Sequence, residues 1–306
     1  MLTYLDCVPC FFKQALEAAR IAGADEKLQR EILNELAKII PDFSLNDSPP
    51  EMGRVVYSLV KKLTGKKDPY KVLKEKSNNL AQKLYPELKE KILSSKDSLL
   101  TAVELAIAGN IIDYGAKNYL NVDKEIEKLL KKEYKPVNSE SRVIFDYFDF
   151  KNVLDKAQNI LYIADNAGEI VFDKLLIEEI KKRYKDKRIV FAVRDKPVIN
   201  DALIEDALSC GIDKLAEVIS SGSDAPGTVL GLCSREFLEI YRKADMVISK
   251  GQGNFESLSG QTRPIFFMFM AKCPVIAKDV SDTYKFIMAG PCRVGDVVLL
   301  YNFEEY

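Results

Sequence analysis

The segment 159–173, NILYIADNAGEIVFD, places oxygen-bearing side chains directly after an apolar run. Asp165 and Asn166 end the run, and Glu169 opens the amphipathic pattern that follows. This order predicts a buried strand, a short loop and the start of a helix. Ligands of open α/β sheets bind outside the carboxyl ends of the strands, and carboxylate and amide oxygens suit hard cations. The loop is therefore predicted to hold a metal ion or a phosphate.

A second carboxylate lies at the end of the polar segment 194–201, which follows the apolar run 189–193. Loops that follow neighbouring parallel strands meet at one edge of the sheet. Asp201 would then join Asp165 and Asn166 around one divalent cation such as Mg²⁺ or Mn²⁺, with positions left for water and substrate phosphate. These three residues are predicted to be metal ligands and catalytic residues.

The positive charges needed for phosphate chemistry occur in the same loops. Lys250, followed by Gly251 in the segment 249–256, offers an ammonium group and approachable backbone N–H groups. Arg194 and Lys196 add further charge. With the metal, these groups would neutralise charge developing on a transferred phosphoryl group, and the metal could activate a bound water as the nucleophile. Lys250 is predicted to be catalytic. Gly251, Arg194 and Lys196 are predicted to bind substrate.

Each of these patterns also has a purely structural explanation. An Asp-Asn pair after a strand is common in turns and helix caps. Asp201 can cap the helix that follows it, and the glycines near Lys250 can simply serve turn geometry. A fourth polar loop, 220–228, also follows a predicted strand. The convergence of four such loops on one sheet edge favours a composite pocket.

Two polar residues interrupt an apolar segment predicted to be helical over 99–114. Asn110 and Asp113 are three positions apart, so they share one helix face. They form either an exposed polar stripe or a pair turned toward a cleft. On the second interpretation both are predicted to bind substrate.

Cys7 and Cys10 form a CxxC motif on a predicted first helix. Two thiolates cannot complete a tetrahedral zinc site, and the chain contains no histidine. A pair of buried or redox-silent thiols is therefore favoured over a zinc site.

The pattern of elements changes near residue 140. Before it, apolar residues recur at helical spacing, and the clearest helix begins at the capping box of Ser48 and Glu51 and stops at Gly65. A charged segment, 131–138, resembles a linker. After it, predicted helices alternate with apolar runs at 160–164, 189–193, 218–220, 246–249, 265–270 and 297–301. This alternation predicts a mainly parallel sheet covered on both faces, with a helical region over 1–138 and an α/β catalytic domain over 139–306.

Composition restricts the classes of function. The 306 residues have a formal net charge of −1 with Lys and Glu interspersed, so there is no basic field for nucleic acid and no polybasic membrane patch. The absence of histidine removes Ser-His-Asp and Cys-His nucleophilic catalysis. With no signal-peptide pattern at the first residues and sparse cysteines, the protein is expected to be cytoplasmic and to act on small molecules.

Taken together, five motifs resemble the metal-dependent damage-control phosphatase family, formerly domain-of-unknown-function family 89, and its prokaryotic CxxC-containing branch. They are CVPC at 7–10, AGNIID at 108–113, ADNAGEIVFD at 164–173, RDKPVINDA at 194–202 and SKGQGNFESL at 249–258. The resemblance implies an N-terminal helical region joined to a Rossmann-like α/β/α sandwich. It also implies hydrolysis of phosphorylated metabolites, such as sugar phosphates or damaged cofactors, with Mn, Co, Ni or Mg as cofactor.

Site residues carried over from the resemblance agree with those read from the loops. Asp165, Asn166 and Asp201 would bind the metal, and Lys250 would reach the phosphate. Asn254 and Glu256 would lie close by. Glu169 is also predicted to bind substrate. Asp195 and Asn200 are alternatives to Asp201 in the same loop.

Other classes of function remain open at this point. An S-adenosylmethionine-dependent methyltransferase would also use such a sheet, but no strand leads into a GxGxxG turn. A non-catalytic metal or metabolite binder could use the same carboxylates. A haloacid-dehalogenase-type phosphatase is disfavoured because Asp165 is followed by Asn166 and Ala167, not by a second Asp two residues later. The sequence leaves the oligomeric state and the substrate undetermined.

Overall fold

The computed structural model describes residues 1–112, 142–285, 288 and 290–302. Within these residues, seven strands form one sheet in the order β1-β7-β6-β5-β2-β3-β4. The strands are β1 (Arg142–Phe145), β2 (Asn159–Ile163), β3 (Arg188–Val193), β4 (Glu217–Ser220), β5 (Met246–Lys250), β6 (Ile265–Met270) and β7 (Val297–Asn302). The pairs from β6 to β4 are parallel, β7 runs antiparallel to β6, and β1 is parallel to β7.

The helices fall into two groups along the chain. The first group is α1 (Cys7–Ile21), α2 (Glu26–Ile39), α3 (Pro49–Thr64), α4 (Lys71–Ser94) and α5 (Ser98–Ala108), the last followed by a 3₁₀ turn over Gly109–Ile112. The second group is α6 (Tyr147–Lys156), α7 (Glu169–Arg183), α8 (Ile204–Ser209), α9 (Arg235–Lys243), α10 (Gln252–Leu258) and α11 (Pro274–Tyr284).

Alternation along the central strands divides the core into two layers. Ile160 and Tyr162 of β2 face a core formed with α4, α5, α6 and α7. Leu161 and Ile163 face the opposite core, formed with α9, α10 and α11. Because successive side chains of a strand point to opposite faces, a strand buried on both sides must be apolar at nearly every position. The continuous apolar runs of the sequence have this structural cause.

A third core belongs to the N-terminal helices and also includes one loop of the sheet. Val56 and Val60 of α3 pack with residues of α1 and α2, and Val198, from the loop that follows β3, lies in the same cluster. The Lys61 ammonium donates to the carbonyl of Pro197. The neighbouring Ile199 has a φ of 42°, in the left-handed region that β-branched residues rarely occupy. The N-terminal helices therefore hold this loop in a specific conformation.

The sequence predictions for the fold are largely confirmed. The mixed α/β class with a mainly parallel sheet is observed, and each predicted strand is present to within one residue. The capping box is also confirmed, since Glu51 accepts from the backbone N–H of Ser48 at 2.7 Å and Gly65 has a φ of 69°. In the described residues, no helix combines the length and apolar character needed to span a bilayer.

Some details differ from the predictions. The strand β1 was not predicted, and the helix predicted over 99–114 ends at Ala108, where a 3₁₀ turn begins. The predicted linker 131–138 and the boundary between 138 and 139 lie outside the described residues, so that division stays a prediction.

Candidate active site

The carboxyl ends of β2 and β5 lie side by side at the point where the strand order reverses. Ile163 of β2 is paired with Ser249 of β5, so the chain leaving β2 at Asp165 emerges beside Lys250 and Gly251. Gly251 has a φ of 80°, and a Cβ at this position would collide with the Asp165 carboxylate. Only glycine allows this close approach, which explains why glycine follows Lys250 in the sequence.

The loop after β3 brings Asp201 to the same place. The Ala202 N–H donates to the carbonyl of Asp165 at 2.8 Å, and Asn166 and Asp201 form an isolated antiparallel bridge. Asp201 is thus fixed beside Asp165 and Asn166 by backbone hydrogen bonds. The three predicted metal ligands converge in the structure.

We call Asp165, Asn166, Asp201 and Asn110 the outer cluster. The Asn166 amide donates to Asp165 Oδ2 at 2.6 Å, and the Asn110 amide lies 3.4 Å from the same oxygen. Among the described residues, no Lys or Arg forms an ion pair with Asp165. Burial, followed by repulsion from Glu169 and Asp201, raises the pKa of Asp165 well above its ordinary value.

Asp201 differs from Asp165 because it has a buried cationic partner. Arg194, only 1% exposed, donates from Nε to Asp201 Oδ2 at 2.7 Å. Its other nitrogens donate to Thr228 Oγ1 at 2.9 Å and Asn254 Oδ1 at 2.8 Å. Asn254 in turn donates to the carbonyls of Ala164 and Lys250 at 3.0 and 2.7 Å. Arg194 and Asn254 lie behind the outer cluster and orient it, and a direct contact of either with substrate stays a prediction.

We call Lys250, Glu169, Asp173 and Tyr162 the inner cluster. The Lys250 ammonium donates to Asp173 Oδ1 at 2.5 Å, Glu169 Oε1 at 2.7 Å and the carbonyl of Ala106 at 2.8 Å. The Tyr162 hydroxyl donates to Asp173 Oδ1 at 2.7 Å. An ammonium group has three N–H donors, so all those of Lys250 are engaged by the protein. A contact of Lys250 with phosphate stays a prediction and would require one of these bonds to be exchanged.

Glu169 connects the two clusters. Its Oε2 accepts from Asn110 at 2.8 Å and from Asn166 at 3.3 Å, while its Oε1 accepts from Lys250. Glu169 therefore orients the amides that surround Asp165, and Lys250 in turn fixes the position of Glu169.

The outer cluster has the properties of a cation site. The buried carboxylates at this edge are Asp165, Glu169, Asp173 and Asp201, whereas the buried cations are Arg194 and Lys250, so negative charge is in excess. The Oδ1 atom of Asn110 is buried beside them and has no hydrogen-bond partner in the part of the chain that the structure describes. Both features are relieved by a divalent cation, and all the donor atoms are hard oxygens.

Few charged side chains are available as ligands in such a site. Among the described residues, no group of three His, Cys, Asp or Glu side chains is arranged to hold a metal ion. Carboxylates alone therefore do not complete the coordination, which would need amide oxygens, water or substrate oxygens. This donor set fits Mg²⁺ or Mn²⁺, which keep several water ligands, better than it fits a closed structural site.

The remaining predicted site residues are placed at the periphery or outside the described part. Lys196 is exposed, and Glu256 is half-buried on α10, where it accepts from Gln252 at 2.8 Å. Asp113 lies outside the described residues, so its role stays a prediction.

Sequence reasoning missed three members of these networks. Asp173 lies four residues after Glu169 on α7, so the helical repeat could have placed both on one face. Tyr162 carries its hydroxyl group on a buried strand, and Thr228 lies in the polar loop 220–228 that was already identified. Neither carried a signal of its own.

The two CxxC cysteines lie at the start of α1, as predicted. Cys7 is half-buried and Cys10 is exposed, so neither is a fully buried thiol, and the alternative of redox-silent thiols stays a prediction. Burial raises the pKa of Cys7 to about 11 and raises that of Cys10 above its ordinary value. Both thiols are therefore protonated at neutral pH, which makes them weak nucleophiles.

Comparison with known proteins assigns the chain to a family. The model of the damage-control phosphatase ARMT1-like domain matches residues 3–285. A protein of Methanocaldococcus jannaschii described as uncharacterised is 40% identical over 96% of this chain and 94% of its own length. A damage-control phosphatase of Pyrococcus horikoshii is 36% identical over 92% of this chain and 94% of its own length.

A solved structure gives the same result. The crystal structure of a DUF89 family protein from Pyrococcus horikoshii superimposes with a TM-score of 0.83 at 33% identity, covering 99% of each chain. The chain therefore belongs to the damage-control phosphatase ARMT1-like family.

Proposed function

We propose that this protein is a divalent-metal-dependent phosphatase that hydrolyses phosphate monoesters of small metabolites, such as sugar phosphates or damaged phosphorylated cofactors. One observation carries the proposal. Within the described part of the chain, the buried carboxylate of Asp165 accepts side-chain hydrogen bonds only from amides, in a cluster with excess negative charge and an unpartnered amide oxygen. Such an arrangement is unfavourable without a cation and favourable with one.

The residues that would hold the metal are Asp165, Asn166 and Asp201, with Mg²⁺, Mn²⁺, Co²⁺ or Ni²⁺ as candidates. When bound, the metal supplies Lewis acidity toward the phosphoryl oxygens and lowers the pKa of a bound water toward neutrality.

The protein's own contribution is the positioning of these ligands. Arg194 occupies one oxygen of Asp201 and so fixes the direction in which the other can point. Asn166 and Asn110 are held by Glu169, which is itself held by Lys250. The buried network therefore supports a small number of ligands in a fixed geometry, as metal affinity requires.

The proposal is tested by a hydrolysis screen. Metal-stripped protein is assayed on phosphorylated sugars and cofactors after resupply with each of the four cations. The wild type should be inactive when stripped and regain activity with at least one metal. Asp165→Ala and Asp201→Ala should abolish that activity and weaken metal binding by about 10-fold or more, scaled from the loss of supporting residues at metal sites.

Asp186→Ala is the matched control, because Asp186 is exposed on the surface. It should behave as the wild type. Activity that is independent of added metal, or an Asp165→Ala variant with unchanged turnover and metal affinity, would refute the proposed site.

A further inference from the structure

A cavity with a volume of about 680 Å³ lies at the edge of the sheet opposite to the candidate active site. It is formed between the end of α9 and the turn that connects α10 to β6, both at the amino ends of the strands. Its wall combines apolar side chains with cations and polar groups: Leu230, Gly231, Leu238, Tyr241, Arg242, Gln261, Thr262 and Arg263. The volume lies within the range of small-molecule sites.

The cavity is separate from the candidate active site. Strand β5 begins at Met246, beside the cavity, and ends at Lys250 in the inner cluster. At about 3.3 Å per residue, the two sites are separated by roughly 13 Å of strand. A ligand bound at one would not contact the other.

Two residues of the cavity wall each carry a buried polar atom that has no hydrogen-bond partner among the described residues. The two atoms are the hydroxyl of Tyr241, a residue that is only 5% exposed, and Nε of Arg263. An unsatisfied buried polar group costs about 1–3 kcal/mol, so two together in one wall are unfavourable without a ligand or water. Both atoms can donate a hydrogen bond, and this favours an acceptor as their partner.

The charge of the cavity points to an anion. The Arg263 guanidinium lies 4.6 Å from the centre of the Tyr241 ring and donates to the carbonyl of Ala244 at 2.7 Å. Burial lowers its pKa. In the part of the chain that the structure describes, neither Arg263 nor Arg242 has a carboxylate within ion-pair distance.

This lack of an acidic partner distinguishes the cavity from the other buried arginine environment. Arg194 is neutralised by Asp201 at 2.7 Å, whereas Arg263 is half-buried and keeps its charge next to an unpartnered hydroxyl. A partly desolvated guanidinium is stabilised by an oxyanion, to which it can donate two parallel hydrogen bonds.

We propose that this cavity is a binding site for a small metabolite that carries an oxyanion group and an apolar body. Arg263 and the Tyr241 hydroxyl bind the oxyanion, which is a phosphate or a carboxylate. Leu230 and Leu238 contact the apolar part, and Arg242 adds charge at the exposed rim.

The test uses titration calorimetry on metal-free full-length protein, so that the negative outer cluster does not bind the probe. Phenylphosphonate is the main probe, because it joins an oxyanion to an apolar ring and cannot be hydrolysed. Methylphosphonate tests the contribution of the ring, and benzoate distinguishes a carboxylate site from a phosphate site.

Phenylphosphonate should bind the wild type, and Arg263→Gln should weaken this binding by about 10-fold or more, the scale of one lost charged hydrogen bond. Arg235→Gln is the matched control, since Arg235 lies on α9, the helix that carries Tyr241, and its side chain is 94% exposed. It should bind as the wild type. Tyr241→Phe keeps the ring stacked on Arg263 and should give a smaller loss, which covers the case that Arg263→Gln fails to fold.

Several outcomes would overturn the site. They are the absence of binding of all three probes to the wild type, equal loss in Arg263→Gln and Arg235→Gln, or full binding in both Arg263→Gln and Tyr241→Phe. Binding of benzoate in preference to phenylphosphonate would keep the site and assign it to carboxylates.

Discussion

The outer and inner clusters both bury carboxylates at the same edge of the sheet, but they neutralise them differently. Asp173 of the inner cluster receives a hydrogen bond from Lys250 at 2.5 Å and another from Tyr162 at 2.7 Å. Asp165 of the outer cluster receives, from the described side chains, only amide hydrogen bonds, and it is repelled by Glu169 and Asp201.

The difference separates a carboxylate that supports structure from one that is prepared for a ligand. Burial raises the pKa of Asp173 to about 6 even though Lys250 opposes the shift, whereas no Lys or Arg of the described residues forms an ion pair with Asp165. A buried charge that lacks a cationic partner among the described residues is costly, so Asp165 is suited to bind a cation.

The largest effect is expected from Lys250→Met. Removal of this ammonium leaves Glu169 and Asp173 buried without their cation, which should lower the free energy of unfolding by about 3–5 kcal/mol. Urea unfolding of the metal-free protein, followed by circular dichroism, measures the change. Adding Asp173→Asn to the variant should recover part of the loss.

The matched control for this variant is Lys38→Met. Lys38 forms an exposed ion pair with Glu35, with side chains 68% and 40% exposed, and its loss should cost under about 1 kcal/mol. Equal costs for the two lysines would show that the inner cluster contributes no more than a surface ion pair.

Asp165→Asn should have an effect of opposite sign on stability. The change removes a desolvated charge from a like-charged cluster at constant shape, so the metal-free protein should gain about 0.5–2 kcal/mol while losing metal-dependent hydrolysis. Asp173→Asn, the inner-cluster counterpart, should lose stability because Lys250 then has one carboxylate fewer. Unfolding midpoints that move in the same direction for both variants would remove the distinction between the clusters.

Glu256 provides a pH test of a third acid near the same edge. Burial raises its pKa from 4.5 to about 7, so the folded state binds its proton more tightly than the unfolded state. The free energy of unfolding should therefore fall as the pH rises from about 4.5 to about 7. Glu256→Gln should flatten this slope in unfolding experiments across that window. An unchanged slope would assign the pH dependence to other acids whose pKa burial raises, such as Asp165, Asp173, Asp146 and Asp279.

The smallest effect is expected from the double variant Cys7→Ser, Cys10→Ser. In the wild type, the thiols of Cys7 and Cys10 are protonated and take no part in either cluster. The variant should therefore retain metal-dependent hydrolysis, with at most a small loss of packing stability. Stoichiometric zinc that survives dialysis of the wild type and is lost in the variant would instead identify a structural metal site.

How far the sequence predicted the fold depended on the element. Strands β2, β3 and β5 were visible because burial on both faces leaves a continuous apolar run. Strand β1, RVIF, was not predicted, although it is as long as β4, which was, so strand length alone does not account for the miss. The antiparallel direction of β7 was also not predicted, since an apolar run has the same composition in either direction.

The candidate site was predicted where the chain itself brings ligands to strand ends. Asp165 and Asn166 follow β2 directly, so their position could be inferred from the fold class alone. The partners of Lys250 could not, because one is the carbonyl of Ala106, far away in sequence on α5. Every residue has a backbone carbonyl, so the side chain at a position does not indicate that its carbonyl accepts such a bond.

The attachment of the loop after β3 to the N-terminal helices has a consequence for cooperativity. Val198 lies in the core of α1, α2 and α3, three residues before Asp201, and Lys61 of α3 donates to the carbonyl of Pro197. Local opening of these helices would release the backbone that fixes Asp201, even though they contribute no ligand themselves. Metal affinity and the amide hydrogen-exchange protection of α3 should therefore change together, so that the helical bundle and the ligand loop open as one cooperative unit.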